Sequence, residues 1–154
     1  PTSALTWGMA LATYPFFGKV AEIVGRLTSL QGDCTSAEVH RRMAEIFGER
    51  EGTRRMTNMV LQSQASWGAI EKVDKSKRIV RSPSIDLDAS ASAAWLAEAC
   101  VRYAGRPLSV AGIGSNPIIY PFSLNGSSAY LFSKSPYLEM RADSAGNQTI
   151  DLAI

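Results

Sequence analysis

Cysteine, histidine and glycine-rich loops are scarce in this sequence of 154 residues. It has two cysteines, Cys34 and Cys100, and one histidine, His40. Two widely spaced cysteines lack the spacing of a zinc site or a disulfide framework, so we interpret both as reduced thiols of a cytoplasmic protein. His40 has no second imidazole nearby, and Gly112 and Gly114 lack the third glycine of a phosphate-binding loop. The sequence therefore predicts no metal, no cofactor and no catalytic activity.

Long apolar segments are also missing. No run approaches the ~20 residues that a membrane-spanning helix requires, and residues 4–17 are interrupted by threonine, glycine and proline. Hydrophobic residues make up 45% and charged residues 19% of the chain, which is typical of a globular protein. We therefore predict a soluble protein with a hydrophobic core and no contact with a membrane.

Charge of either sign is modest, but it is unevenly distributed. The net charge is +2 in total. Positions 1–82 contain 12 basic and 8 acidic residues, whereas positions 83–154 contain 4 basic and 6 acidic residues. Lys and Arg near a nucleic-acid duplex gain free energy because they release its counterions. A phosphate-contacting surface is therefore expected in the first half of the chain.

Three amphipathic helices are predicted in that half. The first covers 16–31 and ends at Gly32, with an apolar stripe of Val20, Ile23, Val24, Leu27 and Leu30. The second follows Thr35, which together with Glu38 has the spacing of a capping box, and it ends at Gly48. The third covers 51–67, and its predicted buried face consists of Met56, Met59, Val60, Ser63 and Trp67.

The opposite face of the third helix is polar. It carries Arg54, Arg55, Asn58 and Gln62, together with Leu61. Arg, Asn and Gln have forked donors and acceptors that match guanine and adenine edges in the major groove, and an outward leucine can contact a thymine methyl group. This pattern is therefore typical of a surface that reads DNA bases.

A basic β-hairpin is predicted directly after this helix, at residues 70–81. Two short runs rich in Ile and Val flank the polar turn 74–77, and Ser82-Pro83 ends the second run. Only Glu71 and Asp74 oppose its basic residues, which are Lys72, Lys75, Lys77, Arg78 and Arg81. We interpret the hairpin as a cationic projection.

The predicted order is three helices followed by a hairpin, and a tight turn joins the last two helices. Over residues 16–83 this order resembles the winged helix-turn-helix superfamily. The resemblance implies that 51–67 is a recognition helix whose Arg54, Arg55, Asn58 and Gln62 approach base edges. It also implies that 70–81 is a wing. The DNA backbone contacts that follow from it are Arg41, Arg42, Lys72, Lys75, Lys77, Arg78 and Arg81.

The remaining segments are predicted more coarsely. Residues 1–15 are an apolar arm, and 82–92 form a linker that contains Asp86 and Asp88. A fourth helix follows, with small apolar residues on one side and an exposed Glu98–Arg102 pair. The last third is predicted to contain strands at 108–113 and 118–122, helical turns at 125–132 and a hairpin at 137–154 around the turn 143–148.

These patterns together predict an α+β fold, with a winged-helix domain at 16–83 and a C-terminal α+β extension at 84–154 packed on it. The predicted function is that of a regulator that binds double-stranded DNA. It would act as a homodimer formed through the arm, the fourth helix or the terminal hairpin. The alternative is an adaptor in a larger bacterial assembly, because winged helices also serve as protein–protein modules. An adaptor would expose an apolar patch at 7–17 or at the terminal hairpin.

Overall fold

The computed structural model describes residues 2–87, 90–124 and 128–153, and within these ranges the chain has an α+β fold. Its helices are α1 (Thr2–Thr13), α2 (Pro15–Gln31), α3 (Ser36–Phe47), α4 (Glu51–Ser66), α5 (Ser90–Ala104), α6 (Val110–Ile113) and α7 (Ser128–Ser133), with a 3-10 turn at Pro117–Ile119. Its strands are β1 (Asp33–Thr35), β2 (Ile70–Val73), β3 (Arg78–Arg81), β4 (Ile85–Leu87), β5 (Leu108–Ser109), β6 (Phe122–Leu124), β7 (Leu138–Ala142) and β8 (Gln148–Leu152). None of the described helices is long and apolar enough to span a membrane.

The strands form three small sheets. The first has the order β1-β3-β2 and is antiparallel throughout, so the predicted hairpin β2–β3 gains a third strand from the residues before α3. The second pairs β4 with β6 in parallel, and the third has the antiparallel order β5-β8-β7. The third sheet contains the predicted terminal hairpin, which is thereby confirmed.

Capping geometry confirms where α2 was predicted to end and where α3 was predicted to begin. Gly32 adopts the left-handed conformation with φ of 81° and donates its N–H to the Thr28 carbonyl, which ends α2. At α3, the Thr35 hydroxyl accepts from the Glu38 amide at 3.0 Å, and the Glu38 carboxylate accepts from the Thr35 amide at 3.1 Å. The prediction that Leu30 is buried is wrong: it is 84% exposed, because α2 extends beyond the core in its last turn.

The predicted orientation of α4 is also wrong. Thr57, Leu61 and Gln64 are its buried residues, whereas Met56 is 48% and Met59 is 64% exposed. The two polar residues of the buried face have hydrogen-bond partners: Thr57 donates to the Thr53 carbonyl, and Gln64 accepts from the Tyr120 hydroxyl. Thr57 is thereby satisfied, whereas the Gln64 side-chain nitrogen is buried without a hydrogen-bond partner among the described residues, so the burial of Gln64 carries a cost. The helix is therefore rotated from the predicted orientation, although Val60 and Trp67 of the predicted face are partly buried against the core.

An aromatic cluster around Trp7 forms the centre of the core. Helix α1 occupies most of the predicted apolar arm at 1–15, and its Trp7 is only 1% exposed, so this segment packs on the core. The distances from the Trp7 ring centroid are 4.9 Å to Phe17, 5.5 Å to Tyr120, 6.0 Å to Phe122 and 6.3 Å to Trp67. The indole nitrogen donates to the Ile118 carbonyl at 2.8 Å. Segments from the beginning, middle and end of the chain thus meet at one side chain.

Helix α5 packs inside the chain, mainly against α1. A Cβ atom at Gly8 of α1 would lie 2.2 Å from the Trp95 indole nitrogen, so only glycine permits this close approach. The small residues of α5 that are fully buried are Ala93, Ala97, Ala99 and Cys100. The predicted pair of Glu98 and Arg102 exists, with a 2.9 Å bond, but Glu98 is buried rather than exposed.

Several predictions for the last third need correction. The strand predicted at 108–113 stops at Ser109 and is followed by α6, and the strand predicted at 118–122 is replaced by the 3-10 turn and β6. The Asn116 side chain accepts from the Ile118 amide and Pro117 follows it, which favours the start of a helical turn over a strand. The predicted linker 82–92 contains β4. Asp88 and residues 125–127 of the predicted helical turns lie outside the described ranges.

The aromatic cluster gives the first testable prediction. Trp7→Ala should lower the free energy of unfolding by about 3–5 kcal/mol, because it empties the centre of the core. Trp7→Phe should cost about 1–3 kcal/mol, because the Ile118 carbonyl loses its donor. Urea unfolding followed by circular dichroism measures both. Met9→Ala, on the exposed side of the same helix, is the control and should change stability by no more than about 0.5 kcal/mol. A Trp7→Ala loss as small as the control would contradict the docking of α1.

Candidate nucleic-acid interface

Helices α3 and α4 are joined by a three-residue turn whose geometry is defined by two residues. Gly48 has φ of 95°, a backbone conformation that side-chain-bearing residues rarely adopt. The Arg50 guanidinium donates to the Phe47 carbonyl at 2.7 Å, so it satisfies one of the free carbonyls at the end of α3. The start of α4 is thereby fixed relative to the end of α3.

The four predicted base-reading residues all lie on the exposed part of α4. Arg54, Arg55 and Gln62 are exposed, and neither arginine forms an ion pair with another described residue. Asn58 is exposed as well, but its side-chain oxygen is bound to His40 Nε2 at 2.9 Å. The predicted thymine contact of Leu61 is wrong, because Leu61 is 1% exposed. The apolar side chain on the outer face is instead Met59.

His40 connects the two helices of this unit. Its Nε2–H donates to the Asn58 side-chain oxygen across the interface between α3 and α4. Sequence reasoning placed His40 on α3 without a partner, because two residues 18 positions apart give no local signal. Within the described ranges no three His, Cys, Asp or Glu side chains are close enough to hold a metal ion.

The cleft between α3 and α4 has a volume of about 640 Å³ and balanced charge. Its basic lining residues are Arg41, Arg50 and Arg54, and its acidic ones are Glu45, Glu49 and Glu51. Arg41, a predicted backbone contact, forms an ion pair with Glu45 at 2.9 Å. Arg42, the other predicted contact on α3, is exposed and forms no ion pair with the described residues. The cleft itself is therefore not a cationic surface.

The turn of the β2–β3 hairpin is tied to the first residue of α3. The Ser36 amide donates to the Lys77 carbonyl at 3.0 Å, and the Ser36 hydroxyl donates to the Ser76 carbonyl at 2.6 Å. Three successive residues of the turn, Asp74, Lys75 and Ser76, have φ values of 52°, 57° and 68°. Non-glycine residues rarely adopt this conformation. The hairpin tip therefore has a fixed and strained backbone beside α3.

The cationic side chains of the hairpin differ in their surroundings. Lys75 and Lys77 are exposed and Lys72 is half-buried, and none of them forms an ion pair with a described residue. Arg78 donates to Asp33 at 2.5 Å and to Asp74 at 3.4 Å. Both bonds raise the pKa of Arg78, and the bond to Asp33 has the larger effect. Arg78 is thus already partly neutralised by neighbouring carboxylates.

Arg81 points into the protein rather than towards the hairpin tip. Its guanidinium donates to the Thr28 hydroxyl at 3.0 and 2.9 Å and to the Gly25 carbonyl at 2.9 Å, and it lies 5.1 Å from the centroid of the Tyr120 ring. These contacts join β3 to α2. Arg81 therefore lies outside the surface formed by α4 and the hairpin tip.

Comparisons of the chain with protein-family models, with curated proteins and with solved structures found no match. The function is therefore inferred from the geometry and charge of the chain's own residues.

The strained turn gives the second testable prediction. Ser76→Gly should raise the free energy of unfolding by about 0.5 kcal/mol, because relief of the left-handed conformation outweighs the flexibility that glycine adds to the unfolded chain. Ser84→Gly is the matched control, since Ser84 has no positive φ, and it should lower the free energy of unfolding by about 0.5 kcal/mol. Urea unfolding distinguishes the two. Equal losses would show that the turn is not strained.

Proposed function

We propose that this chain is a winged-helix protein that binds double-stranded DNA and regulates transcription in the cytoplasm. The order α2, β1, α3, α4, β2, β3 supports the winged-helix assignment, as does the attachment of the hairpin to the helices through β1. The observation that carries the proposal is that two exposed pairs of basic residues both lie beside α3. Arg54 and Arg55 lie on α4, which packs on α3, and Lys75 and Lys77 lie in the turn that Ser36 binds to the start of α3.

In the proposed mechanism α4 enters the major groove. Arg54 and Arg55 donate to guanine edges, and Gln62 contacts adenine through its amide. Asn58 has a narrower role than a free asparagine, because its oxygen is bound to His40. A bidentate contact to adenine needs both a donor and an acceptor from one amide. While the His40 bond is intact, one lone pair of the Asn58 oxygen is occupied, which leaves the other lone pair and the NH₂ group for a base edge.

The hairpin contacts the phosphates beside that groove. Lys75 and Lys77 carry this role, whereas Arg78 contributes less because Asp33 and Asp74 already bind it. On α3, α4 and the hairpin turn, the exposed cations without an ion pair to a described residue are Arg42, Arg54, Arg55, Lys75 and Lys77. If each neutralises one phosphate, the logarithm of the binding constant falls with the logarithm of salt concentration with a slope of about −4.5.

A second candidate function is that of an adaptor that binds another protein through α4. The observation in its favour is that Met56 and Met59 are 48% and 64% exposed on the outer face of this helix. Exposed methionines adapt readily to partner surfaces. Of the apolar patch expected at 7–17, Trp7 and Phe17 are buried, whereas Met9 and Tyr14 are 57% and 65% exposed. A homodimer through α1 would have to use its outer side, where Leu5 and Met9 are exposed.

The third prediction tests phosphate contact by the hairpin. In fluorescence anisotropy with a random DNA duplex, Lys75→Glu combined with Lys77→Glu should weaken binding more than tenfold at low salt, and the salt slope should lose about two units. Both side chains are exposed and unpaired, so the variant should fold normally.

The matched control for this experiment combines Arg106→Glu with Lys134→Glu, two exposed positions in the second half of the chain. It makes the same change in net charge and should bind DNA nearly as well as the wild type. Equal weakening by both variants would mean that net charge, and not the hairpin, determines binding. Absence of wild-type binding at low salt would refute DNA binding and favour the adaptor.

The fourth prediction tests base reading by α4. On a site selected from a random DNA library, Arg54→Ala should cost about 1–3 kcal/mol and should relax the sequence preference at one position. On an unrelated duplex the same variant should lose less. Arg42→Ala is the control, because a phosphate contact should weaken binding to both sequences alike. A uniform loss for Arg54→Ala would contradict its role in reading bases.

A further inference from the structure

We propose that a pocket between α2, the end of β3 and residues 114–123 binds a small organic anion with an apolar body, such as an aromatic carboxylate. The pocket has a volume of about 550 Å³, which suits a small-molecule ligand. Nothing in this proposal depends on DNA binding, because the pocket lies away from the surface of α4 and the hairpin tip.

The first argument is the charge of the pocket. Its lining contains two arginines, Arg26 and Arg81, and no carboxylate. Arg26 forms an ion pair at 3.8 Å with Glu22, which lies outside the lining, so Arg81 is the lining cation without a carboxylate partner among the described residues. The cleft between α3 and α4 instead has equal numbers of arginine and glutamate, and in the cleft beside α5 the Glu98–Arg102 pair is present. Among these three clefts the pocket at Arg81 is the one whose lining contains no carboxylate. An anion would supply the missing charge.

The second argument is the state of Arg81. It is half-buried and forms no ion pair with the described residues, and only the neutral oxygens of Thr28 and Gly25 accept from it. These bonds use Nε and Nη2, so the two N–H groups of Nη1 have no acceptor within the described ranges. An anion in the pocket would give Nη1 a charged acceptor, and the bonds of the guanidinium to α2 already hold it in place.

The third argument concerns the rest of the lining. Ser29, Ser84 and Ser123 contribute hydroxyl groups that can donate to an anion, and Tyr120 and Phe122 contribute aromatic surface. Leu30, which is 84% exposed, lies at the same pocket. Tyr120 and Phe122 are 6% and 4% exposed, so the exposed Leu30 is the main apolar surface of the pocket, and it favours a ligand with an apolar body over a bare inorganic ion. The ligand class is therefore an organic carboxylate or phosphate monoester.

The position of Arg81 on β3 separates this pocket from the proposed phosphate contacts. Arg78 lies beside the hairpin turn, and Arg81 lies at the other end of the strand, about 10 Å away at the usual rise of an extended chain. The two sites can therefore be tested separately, and failure of one leaves the other intact.

The test is a titration of the DNA-free protein with benzoate, hexanoate and phenyl phosphate at constant ionic strength, followed by NMR of the ¹⁵N-labelled chain. Benzyl alcohol, hexanol and inorganic phosphate are the matched ligands that lack either the charge or the apolar body. We expect at least one organic anion to saturate in the millimolar range or below, with shifts at Arg81 and Ser84. The neutral alcohols should bind at least tenfold more weakly. A preference for phenyl phosphate over benzoate would identify the anion as a phosphate ester, and the reverse as a carboxylate.

Ser84→Glu is the decisive variant, since it places a carboxylate at an exposed position of the pocket and leaves the structural bonds of Arg81 intact. It should weaken anion binding about tenfold or more, whereas Ser144→Glu, at an exposed position in the β7–β8 turn, should not. Any of three results would overturn the proposal: no saturable binding of any organic anion, equal binding of the alcohols, or wild-type affinity in Ser84→Glu. Inorganic phosphate that binds as tightly as the organic anions would overturn the apolar part of the ligand assignment.

Discussion

Burial of Trp7 is the constraint on which the rest of the structure depends. Its ring lies within 6.3 Å of four aromatic rings from α2, from the end of α4 and from residues 120–122, and its nitrogen binds the Ile118 carbonyl. A large aromatic side chain supplies more apolar contact area than any aliphatic one, and its single N–H fixes its orientation. The helix–hairpin unit and the C-terminal segment share this contact, so neither has a complete core without the other.

Polar side chains reinforce the same junction between the two halves of the chain. Tyr120 donates to Gln64 at 2.8 Å, and Arg81 binds α2 while it lies over the Tyr120 ring. Burial raises the pKa of Tyr120, an effect that Arg81 partly opposes, so the phenol keeps the proton that it donates. The free energy of unfolding falls once the pH exceeds the pKa of an exposed tyrosine, because Tyr120 can ionise in the unfolded chain but not in the folded one. The junction is thus most stable below about pH 10.

Local signals in the sequence predicted much of the fold, and contacts between distant residues account for what was missed. The capping box at Thr35, the glycine that ends α2 and the terminal hairpin depend on neighbours within a few residues, and these predictions are confirmed. The rotation of α4 was missed because its buried face meets residues that are distant in the sequence, such as Tyr120, which donates to Gln64 from 56 positions away. Short strands such as β1 and β4 were missed because three residues have no measurable periodicity.

In the candidate site, too, composition predicted which residues are basic, but not which neighbours they meet in the folded chain. Counting basic residues gave the hairpin five equivalent cations, but Asp33 and Asp74 bind Arg78, and Thr28 and Gly25 bind Arg81. What distinguishes these residues is the neighbour that each one meets after folding, 45 positions away for Asp33 and 53 for Thr28. A cation with a carboxylate partner gains little from a phosphate, because the existing bond must be lost first. A half-buried cation without such a partner gains the most. By this reasoning Lys75 and Lys77 are suited to an extended polyanion at the surface, and Arg81 is suited to a small anion that can enter its pocket.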